Sequence, residues 1–210
     1  MKKITILLVF ILNILTLRAQ DSVIYNGVTI FEGDLLFVGA ESENLSGAIN
    51  RVTQRSESIS FDHVGLIEIA EGIPYILHAS SRKGSVKEPL DSLSGEQLYV
   101  IYRIDSQYRS AIPEAITKAN RMLGKPYNWS YKLNDSTYYC SDFVERAFRH
   151  VELFVLEPMT FKNPKTGDFD DFWIGFYAKQ GLAIPEGELG CNPNGLASNP
   201  KLSRIGLLRL

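Results

Sequence analysis

Cysteine and histidine are scarce in this chain, with 2 and 3 residues among 210. Two cysteines are too few for a disulfide-stapled mini-protein. Nine prolines and 16 glycines exclude a collagen-like fibre and a disordered scaffold. Surplus positive charge is also missing: the formal net charge is −2, which removes the bulk electrostatic case for a nucleic-acid partner. A run of the about 20 apolar residues that a spanning helix needs is absent as well. What is present is 45% hydrophobic and 22% charged sequence, enough for one sizeable core.

The amino terminus departs from this average. Met1-Lys2-Lys3 precedes a mostly apolar stretch from Ile4 to Leu17, which Asn13 interrupts, and then Arg18-Ala19-Gln20. A basic start, a short apolar stretch and a small residue near the exit read as a secretory signal over residues 1–20. No cysteine stands there to carry a lipid anchor. Residues 21–210 then form one domain, exported to a periplasmic or extracellular compartment, with no stable membrane span once the signal is removed. Without the signal the chain holds 19 cations against 24 acids, a net of −5. Such a compartment permits a Cys140–Cys191 disulfide; equally, one cysteine is a reactive thiol and the other a bystander.

No repeat or long linker follows residue 20. Asp34 to Val38 reads as a buried strand, Asn44 to Gln54 has helical spacing, and Phe61 to Ile69 with Pro74 to Ala79 reads as a hairpin. Leu98 to Ile104 is a further strand. Ile112, Ile116, Ala119 and Leu123 fall on one helical stripe that ends at Gly124-Lys125-Pro126. A second helix starts near Cys140, and Phe169 to Lys179 is a third candidate. The stretch Ile184 to Pro193 reads as turns and extended chain. This order suggests an antiparallel sheet with segregated helices, an α+β domain.

Two of the three histidines fall in the hairpin. A four-residue loop over Ile69 to Gly72 pairs His63 with His78 directly. A two-residue Glu71-Gly72 loop leaves both on one face, a step off register, and a three- or five-residue loop separates them. Cys140 opens a helix, where the positive end of the dipole lowers a thiol pKa and free backbone N–H groups can hold an oxyanion. The alternative readings are two unrelated strand histidines and a buried structural cysteine.

Four strings occur in order: Glu32-Gly33-Asp34-Leu35-Leu36-Phe37, Asp62-His63-Val64-Gly65-Leu66-Ile67, Leu123-Gly124-Lys125-Pro126-Tyr127-Asn128-Trp129 and Tyr139-Cys140-Ser141-Asp142-Phe143-Val144. Over roughly Gly33 to Val151 the chain resembles the circularly permuted NlpC-type papain-like cysteine amidases, the YiiX/YaeF-like branch, which also looks related to lecithin:retinol acyltransferases. The resemblance implies a papain-like α+β fold, an antiparallel sheet or small barrel flanked by helices. It implies Cys140 as nucleophile, His63 as general base and then acid, and His78 at the third, orienting position, where an acid is more usual. Tyr139, Trp129 and Asn128 are candidate substrate contacts, with Tyr138 as a further pocket candidate. Asp34 is read as structural, and His150 as a charge partner outside the chemistry. The implied function is amide hydrolysis through a thioester, on a small-molecule, lipid-amide or peptidoglycan-peptide substrate, without cofactor or metal. An acyltransferase or esterase on the same fold, a zinc site of His63, His78 and Cys140, and a silent binding module are the alternatives. The hydrolase reading requires a free Cys140 thiol.

Overall fold

The computed structural model describes residues 22–55 and 59–210; the segment read as a secretory signal lies outside the described residues. A hairpin of β1 (Ser22–Tyr25) and β2 (Val28–Phe31) leads into β3 (Leu35–Gly39) and helix α1 (Asn44–Thr53). Strands β4 (Phe61–Ala70), β5 (Ile73–Ser80), β6 (Gly84–Pro89) and β7 (Tyr99–Ile104) follow, then helices α2 (Ile112–Met122) and α3 (Cys140–Phe148). A short ladder of β8 (Glu157–Pro158) with β9 (Leu189–Gly190) encloses α4 (Asp171–Gln180), and α5 (Pro193–Ala197) and β10 (Leu202–Leu208) end the chain. Six strands form one open antiparallel sheet in the order β10-β7-β3-β4-β5-β6. The α+β reading holds.

Alternation along the strands divides the core between the two faces of this sheet. Leu35, Phe37, Val64, Leu66, Leu77 and Val100 bury one face in the same cluster as Phe143, Val144 and Ala147 of α3 and Ala115 and Ala119 of α2. Leu36, Val38, Ile67, Ile76 and Ile101 bury the other, together with Val23 and Ile30 of the first hairpin. Asp34 is structural, as expected: its buried carboxylate accepts from the Phe31 N–H at 2.9 Å and from two nitrogens of Arg103 at 2.8 Å each.

The carboxyl-terminal stretch is more ordered than the sequence reading allowed. Cys191 and Asn192 lead into α5, whose Asn192 side chain accepts from the Gly195 N–H at 2.8 Å. β10 then pairs along β7 as an edge strand. Its exposed Ile205 and Leu207 flank a glycine, so it lacks the clean apolar alternation that marks a strand in sequence. β6 (Gly-Ser-Val-Lys-Glu-Pro) lacks that pattern too, whereas the β1–β2 hairpin carries a plain signal, Asn26-Gly27 between two β-branched runs, that the sequence reading passed over.

Candidate active site

The β4–β5 hairpin decides where the histidines stand. Leu66 pairs with Leu77 and Ala70 with Ile73, which is the register of the two-residue Glu71-Gly72 turn. Both turn residues have positive φ, 53° and 77°, and the glycine accepts that conformation without steric cost. His63 and His78 lie just beyond the last rung, on one face and diagonal to each other. Gly65 stands opposite His78 in register, where an added Cβ would clash with Ile76 and come to 3.0 Å from the His78 Cβ, so a side chain there would push β5 away. His63 Nε2 lies 2.6 Å from His78 Nδ1.

The relay continues onto β6. β6 pairs His78 with Val86 and Ile76 with Glu88, placing Glu88 on the histidine face one diagonal step away. His78 Nε2 is 3.1 Å from Glu88 Oε1, and Lys83 Nζ bonds the other carboxylate oxygen. A carboxylate only accepts, so His78 carries its proton on Nε2 and leaves Nδ1 bare. His63 must therefore donate its Nε2–H to His78, which leaves His63 Nδ1 as a free lone pair. Burial holds His63 down at about 3, reinforced by repulsion from His78. Burial also lowers His78, against the pull of Glu88. Burial would raise Glu88, but hydrogen bonds from Lys83 and His78 turn the balance downward. The third position is thus a neutral imidazole backed by a charged carboxylate.

Cys140 arrives from the opposite face of the sheet. Residues Tyr138 and Asn128 are tied by an N–H to carbonyl bond of 2.9 Å, and buried Tyr139 precedes the first turn of α3 in extended conformation. Phe143, Val144 and Ala147 anchor that helix in the core, and its first residue reaches β4. Ile67 turns its N–H and C=O toward β3, so Asp62 and Val64 turn theirs toward the β5 side, where the ladder has already ended. Cys140 Sγ occupies that gap. It lies 3.8 Å from the Asp62 carbonyl oxygen and accepts from the Val64 N–H, so it meets both peptide groups flanking His63.

The expected thiolate does not form in the resting site. Burial pushes the Cys140 thiol up to about 12, and the nearby Asp62 carboxylate adds to the shift. The backbone N–H groups of Ser141, Val64 and Cys140 itself work in the other direction and are outweighed. Desolvation of a fully buried thiol exceeds the helix-terminal stabilisation that the sequence suggests. At rest Cys140 is a thiol and His63 a neutral imidazole.

A cavity of about 470 Å³ opens at Cys140. Tyr139 lines it, as do Tyr127 and Tyr131, which the sequence reading passed over. Trp129 and Asn128 do not line it. The Asn128 amide is spent within its own turn, donating to the Lys132 carbonyl at 2.7 Å and accepting from the Ser130 hydroxyl at 2.7 Å, and Trp129 packs on Tyr127 and Phe176. Tyr138 instead lies under Arg146. Only backbone geometry distinguishes the inward tyrosines from these neighbours, and no spacing in the sequence marks it. Cys140 and Cys191 are both free thiols. His150 stands 3.5 Å from Glu114, away from the cavity lining. Among the described residues no group of three or more His, Cys, Asp or Glu side chains is arranged to hold a metal ion. The two histidines direct nitrogen atoms at each other, so the donor set does not fit one.

Comparison with known proteins identifies the family and the fold. The "Uncharacterized protein YiiX" of Escherichia coli (strain K12) is 26% identical over 182 residues, which cover 82% of this chain and 84% of that protein. The crystal structure of "metalloprotein yiiX" from Escherichia coli O157:H7 superposes with a TM-score of 0.67 at 22% identity, covering 83% of this chain and 96% of the other. Residues 29–206 match the family described as permuted papain-like amidase enzymes, YaeF/YiiX, C92. The chain belongs to that family, and its fold and function class are those of a cysteine amidase-like hydrolase.

Proposed function

We propose that this protein, acting outside the cytoplasm after loss of residues 1–20, cleaves an amide through a thioester on Cys140. The observation that carries the assignment is the proton inventory of the His63–His78–Glu88 relay, which leaves Nδ1 unprotonated on the residue whose two flanking peptide groups meet the sulfur. As the substrate carbonyl approaches Sγ, the thiol proton passes to His63 Nδ1 and sulfur bonds to the carbonyl carbon. Backbone N–H groups around Sγ, those of Cys140, Ser141 and Val64, are the donors available to the oxyanion. Collapse breaks the C–N bond, and His63 gives its proton to the departing amine. Water then attacks the thioester, His63 accepts its proton, and cleavage of the C–S bond returns that proton to Cys140. His78 and Glu88 act through His63, holding its tautomer and steadying the imidazolium that forms transiently.

The name of the Escherichia coli O157:H7 structure raises a metal-binding alternative, which the ligand geometry here does not favour. The hydrolase reading is tested by incubating the protein with p-nitrophenyl acetate and weighing it intact. An acetyl adduct on Cys140 is expected in the native chain and none in Cys140→Ala. An unmodified native protein, or equal modification of both, overturns the reading. Export is checked on protein recovered from the expressing cell: its amino terminus is expected near residue 20.

A further inference from the structure

The face where α2 meets the far end of α3 carries a feature that amide cleavage does not use. An open groove of about 410 Å³ lies there, lined by Lys118, Arg121 and Met122 of α2 and by Arg146, Arg149 and His150. On each side the residues stand three and four positions apart, so each contributes one helical stripe to the groove. In a chain of formal net charge −2, five of these six residues are basic, and among the described lining residues none is acidic. The groove shares no described lining residue with the cavity at Cys140, and Phe148 ends α3 about 12 Å along its axis from Cys140.

Cations in the closing turns of two helices would complement the macrodipoles without any ligand. Two details go beyond that role. The Arg121 guanidinium is exposed and, among the described residues, forms no ion pair or hydrogen bond, acting on Glu114 only through space. Arg146 and Arg149 are held by carboxylates that leave part of each fork open. Arg146 donates from Nε to Asp142 and from Nη1 to Asp135, at 2.7 Å each, and Arg149 donates from Nε and Nη2 to Glu145. Asp142 and Glu145 are buried, so they fix the forks from within the core. Among the described residues Arg146 Nη2 and Arg149 Nη1 have no hydrogen-bond partner. Lys118 pairs with Glu114 at 3.0 Å, but that carboxylate is largely exposed, and such a pair is readily exchanged.

Arginine forks match the oxygens of carboxylates and phosphates. A carboxylate has two oxygens in one plane and is filled by a single fork. A phosphate monoester presents three oxygens in different directions with a charge of about −2, so it can bridge donors from two walls. We propose that the α2–α3 groove binds the phosphate group of a phosphomonoester, with Arg121 on one wall and Arg146 and Arg149 on the other. Lys118 adds a fourth cation. A soluble sugar phosphate and a phosphatidic acid headgroup share that chemistry, and the test separates them. The proposal is independent of the hydrolase reading.

The full chain is titrated calorimetrically with glucose 6-phosphate and with acetate at matched ionic strength. It is also sedimented with phosphatidylcholine vesicles, with and without phosphatidic acid. Saturable binding of a phosphate source is expected, with no matching response to acetate or to phosphatidylcholine alone. Arg121→Ala should weaken that binding about tenfold or more, the scale of a hydrogen bond to a charged group. Arg121 is exposed, so the variant should keep the native Tm, and Arg121→Gln, which retains much of the stem, should give the same loss. Binding of glucose 6-phosphate with the vesicles left unbound assigns a soluble ester, and sedimentation with phosphatidic acid alone assigns the headgroup. Binding of neither source, an equal response to acetate, or undiminished binding in both Arg121 variants overturns the proposal.

Discussion

The β4–β5 hairpin and the carboxyl-terminal stretch from Leu189 to Leu208 contribute to one site by opposite routes. In the hairpin, a two-residue turn and period-two alternation bring His63 and His78 together, so everything needed lies within sixteen residues of sequence. In the tail, Cys191, Asn192 and Leu196 wall the cavity only because long-range contacts hold them. The Asn194 amide accepts from the Phe61 N–H at 2.7 Å and donates to Thr53 Oγ1 at 2.9 Å and Ser60 Oγ at 3.0 Å. Ser141 Oγ donates to the Cys191 carbonyl at 3.1 Å. The difference teaches that the two histidines here are placed by local periodicity, and the space for substrate by contacts between distant segments.

That contrast is most directly broken at the reactive groups. Cys140→Ser and His63→Ala are each expected to lower kcat by about 10⁴ or more, because one removes the sulfur and the other the base assigned to its proton. Steady-state kinetics on a substrate the native chain cleaves checks this, and near-native turnover in either variant would remove it from the mechanism. His78→Ala should cost less than His63→Ala, since it acts through the other ring.

Glu88→Gln comes next in size. Loss of the charge at the end of the relay is expected to lower kcat about 10- to 100-fold, the scale for partners that orient a functional histidine. KM should hardly move, because Glu88 lies outside the cavity lining. A change in KM with kcat preserved would place Glu88 in binding and not in orientation.

In the tail, Asn194→Ala leaves the buried Phe61 N–H without its acceptor and should destabilise the fold by about 1–3 kcal/mol. Denaturant unfolding measures it. If the tail matters for space and the hairpin for chemistry, this variant should raise KM for the best substrate more than it lowers the rate of Cys140 acylation by a short ester.

Two pH experiments sharpen the account of the hairpin. With the Cys140 thiol pushed up to about 12 and His63 held near 3, the thiolate fraction grows tenfold per pH unit across the neutral range. Iodoacetamide labelling of Cys140 should therefore climb steadily with pH. A plateau extending into acid would instead reveal a thiolate–imidazolium pair at rest. The smallest effect is on stability. His63 has a depressed folded pKa, so the unfolded chain binds more protons than the folded one below the ordinary value of 6.5. Its stabilising contribution is complete above that value and is lost as pH falls toward 3. Asp62 and Asp142, each raised by burial to about 6, work in the opposite sense between 6 and 3.8. Comparing native protein with His63→Asn cancels the carboxylates, and the native chain should lose about 1 kcal/mol more between pH 7.5 and 6.

The sequence by itself determined the α+β class, the central strands and the helix opening at Cys140, and it offered the shared face of His63 and His78 as one of the possible registers. Each rests on short-range periodicity or on a turn of fixed residues, which a single segment expresses alone. Tertiary structure alone decided the rest. β6 carries Glu88 to His78 although its own residues lack an apolar pattern, because pairing along β5 holds it extended. Asn128 turns into its own loop while Tyr127 and Tyr131 face the cavity, a choice made by backbone direction between Pro126 and Tyr139. The thiol stays protonated because the whole core excludes water from it, a desolvation that sums over many segments and outweighs the local pull of one helix terminus.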